Sequence, residues 1–222
     1  MKNKLIIGNW KSNKTSIEVV EWFDEFAEGL VESSGGDKKI ILLPSFTLLT
    51  RVMQLAQDIK LPVHIGVQNI SPFPNGAYTG EVNAGQAKEF ADYVMIGHSE
   101  RRRYFFETDE LLAQKVKSAK EVKLKIIYCV ENELTPIPDD VDIVAYEPVE
   151  AIGTGSPDTP ESAEAIAKAI KTKHPFISSV LYGGSITSQN VASFTKMDNI
   201  DGVLVGNGSL SAGEFIQIIN NA

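Results

Sequence analysis

Hydrophobic residues in this chain fall into short continuous runs separated by stretches of mixed character. Eight runs stand out, at Lys4-Gly8, Lys39-Leu43, Val63-Val67, Tyr93-Ile96, Lys125-Val130, Ile143-Tyr146, Val180-Tyr182 and Gly202-Val205. Each is followed by helical spacing or by turn signals. Between the first two, Ile17, Val20, Phe23, Ala27, Leu30 and Val31 mark one face of a helix that should end near Gly35-Gly36. Leu111, Leu112, Val116 and Ala119 repeat the pattern after Thr108, a residue suited to cap a helix. A strand covered on both faces has no side that must be polar, so apolar runs alternating with amphipathic helices predict parallel β-α units. Eight such units predict an α/β fold closed into a (β/α)8 barrel. The competing open, doubly wound sheet usually has fewer strands and often a glycine fingerprint after the first; Gly8-Asn9-Trp10-Lys11 is not one. No linker-like segment divides the chain, and the expectation is a single domain over residues 1–222.

One unit is irregular. Only Glu131 to Asp142 separates the fifth and sixth runs, and it contains Pro136 and Pro138, which a helix interior does not accept. A parallel crossover needs about a dozen residues, so the fifth helix should be shortened or missing. The flank beneath it should then be thinly covered, a place for another subunit to pack.

Composition narrows the function. The chain has 222 residues, 43% of them hydrophobic and 23% charged, which fits an ordinary globular protein rather than a disordered one. Its net charge of −8 argues against a general nucleic-acid or anionic-membrane binder, so attraction for an anionic substrate has to be local. The start carries too short an apolar run for a signal peptide, and nothing later approaches the roughly 18 apolar residues of a membrane span. One Cys rules out an internal disulfide framework, and three scattered His suggest no metal cluster. A reducing cytoplasm is the expected location.

The chemistry-bearing residues sit just past strand ends, where barrel enzymes keep their sites. Asn9 and Lys11 follow the first strand and share its alternation, so they should project together; as a lone feature, Lys11 could equally be a solvated charge. His98 follows the fourth strand with the parity of Val94 and Ile96. Should Ser99 cap a short helix there, its dipole would disfavour imidazolium and leave His98 a neutral donor. Arg101, Arg102 and Arg103 read as an ion-pairing or interface cluster. Glu147 follows the sixth strand, and Pro148 after it turns the chain out, which makes Glu147 either a surface carboxylate or a base at the barrel mouth. Pro148 to Pro157, with glycines between rigid ends, reads as an ordinary connection or a hinged lid. Gly183-Gly184-Ser185 and Gly206-Asn207-Gly208 follow strands seven and eight, the loops from which barrels commonly build phosphate sites.

Taken in order, Gly8-Asn9-Trp10-Lys11, Gly97-His98-Ser99-Glu100-Arg101-Arg102, Tyr146-Glu147-Pro148-Val149, Ala151-Ile152-Gly153-Thr154-Gly155 and Tyr182-Gly183-Gly184-Ser185 resemble the triosephosphate isomerase family over nearly the whole chain. The resemblance implies a TIM barrel that interconverts dihydroxyacetone phosphate and glyceraldehyde 3-phosphate, in glycolysis and gluconeogenesis, with no cofactor and no metal. It makes Glu147 the base, His98 the group that polarises the carbonyl, and Lys11 the offset to phosphate and enediolate charge. Asn9 would orient the oxyanion, while Gly153, Ser185, Gly206 and Asn207 would contact phosphate. It also implies that the segment Gln68 to Gly80 inserts into a second subunit, bringing Thr79 near that subunit's Asn9 and Lys11. A homo-oligomer follows, a dimer with room for a tetramer through the uncovered flank.

Several positions depart from the family's usual pattern. Glu150 stands where most members carry Trp, although shorter, archaeal-type members share it; Ser156 replaces a frequent Lys. Asn207 stands where Gly is usual, and Asn tolerates left-handed backbone. Phe106 also stands where Gly is usual. Cys129, near the end of strand five, matches a family cysteine and reads as packed and inert. Two rivals remain: another phosphate-binding barrel isomerase, acting on a sugar phosphate or an anthranilate derivative, and a non-catalytic barrel that binds phosphorylated metabolites or serves as a scaffold.

Overall fold

The computed structural model describes residues 4–31, 38–148 and 158–222. Its centre is a closed barrel of eight parallel strands: β1 (Lys4–Asn9), β2 (Lys38–Leu43), β3 (Val63–Val67), β4 (Tyr93–Ile96), β5 (Lys125–Val130), β6 (Ile143–Tyr146), β7 (Ser179–Tyr182) and β8 (Gly202–Val205). Each strand pairs with its successor, and β8 pairs with β1 through Leu5↔Gly202 to Gly8↔Val205. Closure removes every sheet edge. The eight apolar runs therefore match the eight strands, with ends shifted by one residue at most.

Alternation within the strands sorts side chains into two layers. Leu5, Ile7, Ile41, Leu43, Tyr93, Met95, Ile127, Cys129, Ile143, Ala145, Leu181 and Leu204 fill the barrel interior. Ile6, Ile40, Leu42, Val94, Ile96, Ile126, Val144, Val180 and Val203 face outward into the larger cluster formed with the helices. Both faces are apolar, which is why the sequence shows runs and not alternation.

The helices are α1 (Ser16–Val31), α2 (Leu49–Asp58), α3 (Ala84–Lys88), α4 (Ser99–Tyr104), α5 (Asp109–Glu121), α6 (Pro160–Lys173), α7 (Val191–Thr195) and α8 (Ala212–Asn221). Thr108 caps α5 as its sequence implied, accepting the Leu111 N–H; Thr159 and Ser211 do the same for α6 and α8. The expected face of α1 needs correction. Its buried stripe is Val19, Trp22, Phe23, Phe26 and Leu30, while Ile17 is 72% exposed. Trp22 sets the rotation: its ring stacks on Phe26 at 4.5 Å, and its Nε1–H donates to the Ser209 carbonyl, which also accepts from Trp10. The expected end of that helix at Gly35-Gly36 lies outside the described residues.

Between β5 and β6 the chain forms turns and no helix. Thr135 Oγ1 accepts the N–H groups of Glu131 and Asn132, Ile137 and Val141 fold under the barrel wall, and Leu134 is left 75% exposed. The fifth crossover helix, expected to be shortened or missing, is missing. Among the described residues, no helix is long and apolar enough to cross a membrane.

Gly202 shows how tightly β8 meets β1: a Cβ there would lie 2.0 Å from the Leu5 carbonyl oxygen, a backbone atom with no freedom to yield. Gly202→Ala should therefore lower unfolding free energy in urea by about 3 kcal/mol or more. An unchanged midpoint would show that the strands can part without cost.

Candidate active site

Asn9 and Lys11, His98 and Glu147 leave three places in the chain and meet over the carboxyl ends of the strands. With Ser185, Gly206, Asn207 and neighbouring residues of the loops after β7 and β8, they line a cavity of about 550 Å³.

Each side chain arrives by a local device. Asn9 is the buried last residue of β1, and its Oδ1 accepts the Lys11 N–H at 3.0 Å. Lys11 is not carried by continued strand alternation, because its φ of 52° lies in the left-handed region, uncommon for a residue with a Cβ. Gln68 helps hold it there, its Nε2 donating to the carbonyls of Lys11 and Leu43, both at 2.8 Å. The ammonium then reaches Glu100, 2.7 Å away.

The parity expected for His98 is overturned. Val94 and Ile96 face outward, so continued alternation would send His98 out of the barrel. Gly97, at φ 77°, breaks the period and turns His98 inward; a Cβ on Gly97 would also meet Leu112 and Arg102 at 3.1 and 3.2 Å. His98, not Ser99, occupies the cap position of α4, its Nδ1 accepting the Glu100 N–H at 3.2 Å. In the neutral ring, that bond places the remaining proton on Nε2.

Glu147 shares the parity of Ala145 and is 2% exposed. One carboxylate oxygen lies 3.0 Å from His98 Nε2, and the other accepts the Ser99 N–H at 3.0 Å. Gly183 must lack a side chain here, for a Cβ would come within 2.9 Å of Glu147 Cγ. Burial raises the carboxyl pKa, but His98, the Ser99 N–H and Lys11 together outweigh it and hold Glu147 below the ordinary value. Burial likewise opposes imidazolium in His98, yet the facing carboxylate wins and its pKa sits above the usual one. The expected dipole effect of the short helix is thus overridden while Glu147 remains in contact.

The anion end is built from backbone. Gly206 precedes a 3-10 turn, Asn207–Ser209, whose first N–H groups have no partner within the turn. Asn207 is not left-handed, so the tolerance expected of Asn is not called upon. The Ser185 carbonyl is fixed by Asn190 Nδ2 at 2.9 Å. Gly153, Glu150 and Ser156 lie outside the described residues. The segment holding them resumes at Asp158, whose N–H donates to Tyr182 Oη at 2.8 Å and whose carboxylate accepts from Tyr146 and Ser162.

Sequence reasoning did not assign Gln68 or Glu100 to this site. Glu100 lies inside the His98 motif, but nothing in its spacing announces a lysine partner 89 positions away. Gln68 had no signal, because its role depends on the distorted backbone at Lys11.

The family described as Triosephosphate isomerase matches residues 4–138 and 137–222, and the match breaks inside the β5–β6 connection where the helix is missing. A triosephosphate isomerase from Hahella chejuensis is 38% identical, with 100% of this chain and 99% of the relative covered. Those from Alkaliphilus metalliredigens and Caldanaerobacter subterraneus subsp. tengcongensis are 35% and 36% identical, each with 99% of this chain and 100% of the relative covered.

Cys129 sits under the site, 1% exposed and packed in the inner layer. Burial first, and then the nearby Glu147 charge, push its thiol well above the ordinary range, which removes the reactive thiolate. The folded protein should therefore not react with a thiol reagent at pH 8 over an hour, and should react fully once unfolded in guanidinium. Rapid labelling of the native chain would contradict this burial.

Proposed function

The chain belongs to the triosephosphate isomerase family and interconverts dihydroxyacetone phosphate and glyceraldehyde 3-phosphate; on that premise we propose that Lys11, His98 and Glu147 carry the proton transfer and that Asn9, Ser185, Gly206, Asn207 and Gly153 position the substrate. One observation supports this assignment above the others. A buried carboxylate and an imidazole touch at 3.0 Å in a cavity that also holds an ammonium and two glycine-rich turns.

The chemistry follows from that juxtaposition. The substrate phosphate binds at the turns after β7 and β8, where N–H groups and the Lys11 ammonium offset its charge. Lys11 is available because its contact with Glu100 is partly solvated, the side chains being 24% and 39% exposed. Such pairs contribute about 0–1 kcal/mol, so a dianion can displace Glu100. The carbonyl end inserts between His98 and Glu147. Glu147, an ionised carboxylate, takes a proton from the carbon next to the carbonyl and returns it to the neighbouring carbon. Once substrate separates Nε2 from Glu147, the influence that raised the imidazole pKa weakens, and Nε2–H donates to the oxygens of the enediolate. Asn9 and Lys11 face the same developing charge. The chain's own groups supply every step.

We propose further that the chain acts as one domain in the cytoplasm and as at least a dimer. Tyr104, Phe105 and Phe106 are 61%, 62% and 81% exposed, and Phe73 and Tyr78 stack on each other at 4.5 Å in the segment 68–80. Phe106 has φ 54°, which explains why Gly suits its position and means that its ring is held out against backbone strain. Cover by a second copy gives these exposed aromatic residues a partner. The bare flank at Leu134 is the place for a tetramer contact.

Glu147→Gln should reduce turnover of triose phosphate by about three orders of magnitude, the scale of a positioned general base. Equal rates in the two proteins would remove Glu147 from its role. In sedimentation at micromolar concentration the chain should run as a dimer or larger; a monomer alone would end the assembly proposal.

A further inference from the structure

The opposite end of the barrel carries a second concentration of charge that the isomerase chemistry does not use. Lys39, His64 and Lys125 stand at the amino ends of β2, β3 and β5. Lys39 is two residues before inward-facing Ile41, and Lys125 two before inward-facing Ile127. His64 is two before Gly66, whose added Cβ would strike Leu43 and Tyr93 of the interior. Alternation thus aims all three at the amino-terminal mouth of the barrel.

Tyr93 forms the floor. Its ring lies 5.8 Å from that of His64 and 5.4 Å from Lys125 Nζ. In a chain of net charge −8, Lys39 of β2 and Lys125 of β5 both act electrostatically on His64 of β3. Among the described residues, neither Lys39 nor Lys125 forms an ion pair. Asp92 is the acid facing His64, and it is already taken by Lys88 at 3.0 Å. His64 and Asp92 also line a cavity of about 420 Å³ between α2 and α3, together with Lys60, Lys88 and Glu89. Like charges gathered at a mouth repel one another and lower the free energy of any anion placed among them.

We propose that the amino-terminal mouth binds a small dianionic oxyanion between Lys39, His64 and Lys125, at a site separate from the catalytic cavity. Burial, Lys39 and Lys125 lower the pKa of His64 against the opposing pull of Asp92. A bound dianion reverses the balance by favouring imidazolium. Binding and protonation are then coupled, and each strengthens the other.

Sulfate is a suitable probe, because its charge stays at −2 across the histidine range. The imidazole resonances of His64, His98 and His174 are followed by NMR through a pH titration with and without sulfate, and assigned with His64→Gln. Saturating sulfate should raise the His64 pKa by about 0.5–1 unit, a three- to tenfold preference for the protonated form. The rise should vanish in the Lys39→Gln/Lys125→Gln protein, while His98 still responds to sulfate in the catalytic cavity. An unmoved His64 overturns the proposal whatever His98 does. So does an equal rise in sodium chloride of matched ionic strength, which would be screening, or a rise that persists in the double variant.

Discussion

A carboxylate shut away from water must find donors, and Glu147 finds them across the barrel mouth in His98 Nε2 and the Ser99 N–H, each at 3.0 Å. This pairing joins the carboxyl ends of β4 and β6 over β5 and fixes the rest of the site's geometry. It keeps the base ionised below the ordinary carboxylate range, so the group arrives at physiological pH ready to accept a proton. The same contact occupies the imidazole until substrate enters. In the proposed mechanism, base and proton donor are thus stored against each other until the ligand releases both.

Barrel closure is what makes this meeting repeatable. Eight parallel strands bring eight loops to one rim, and small backbone departures choose which side chains turn in. Gly97 does so for His98 and the left-handed Lys11 does so for its ammonium. Gly183 acts by omission, leaving space for Glu147. Where the fifth helix is absent, the rim is unaffected, because the strands beneath it still pair through Ile127↔Ile143 to Val130↔Tyr146.

Most of the barrel was legible because its signal is redundant. Strands covered on both faces produce apolar runs, and Pro136 with Pro138 marked the fifth helix as shortened or missing. The face of α1 was misread because Ile17 and Trp22 look equally apolar, whereas only Trp22 has a carbonyl, that of Ser209, waiting for its N–H. For the site, Lys11, His98 and Glu147 stood out by strand-end position and by family likeness. The inward turn of Glu147 continues the alternation of Ala145, that of Lys11 does not follow from alternation, and for His98 alternation pointed the wrong way. Gln68 and the cap role of His98 depend on φ angles and long-range approach, neither of which a residue pattern encodes. Phe106 shows the converse: its departure from the usual glycine was visible at once, and its meaning required the backbone angle.

The most direct measurement of the central claim is a crystal structure with a two-carbon phosphorylated carboxylate, whose planar anionic end imitates the enediolate. Its phosphate should sit on the turns containing Ser185, Gly206 and Asn207, with Lys11 released from Glu100, and its carboxylate should lie between His98 and Glu147. Density for the ligand elsewhere, with His98 and Glu147 still in contact, would contradict a single shared site.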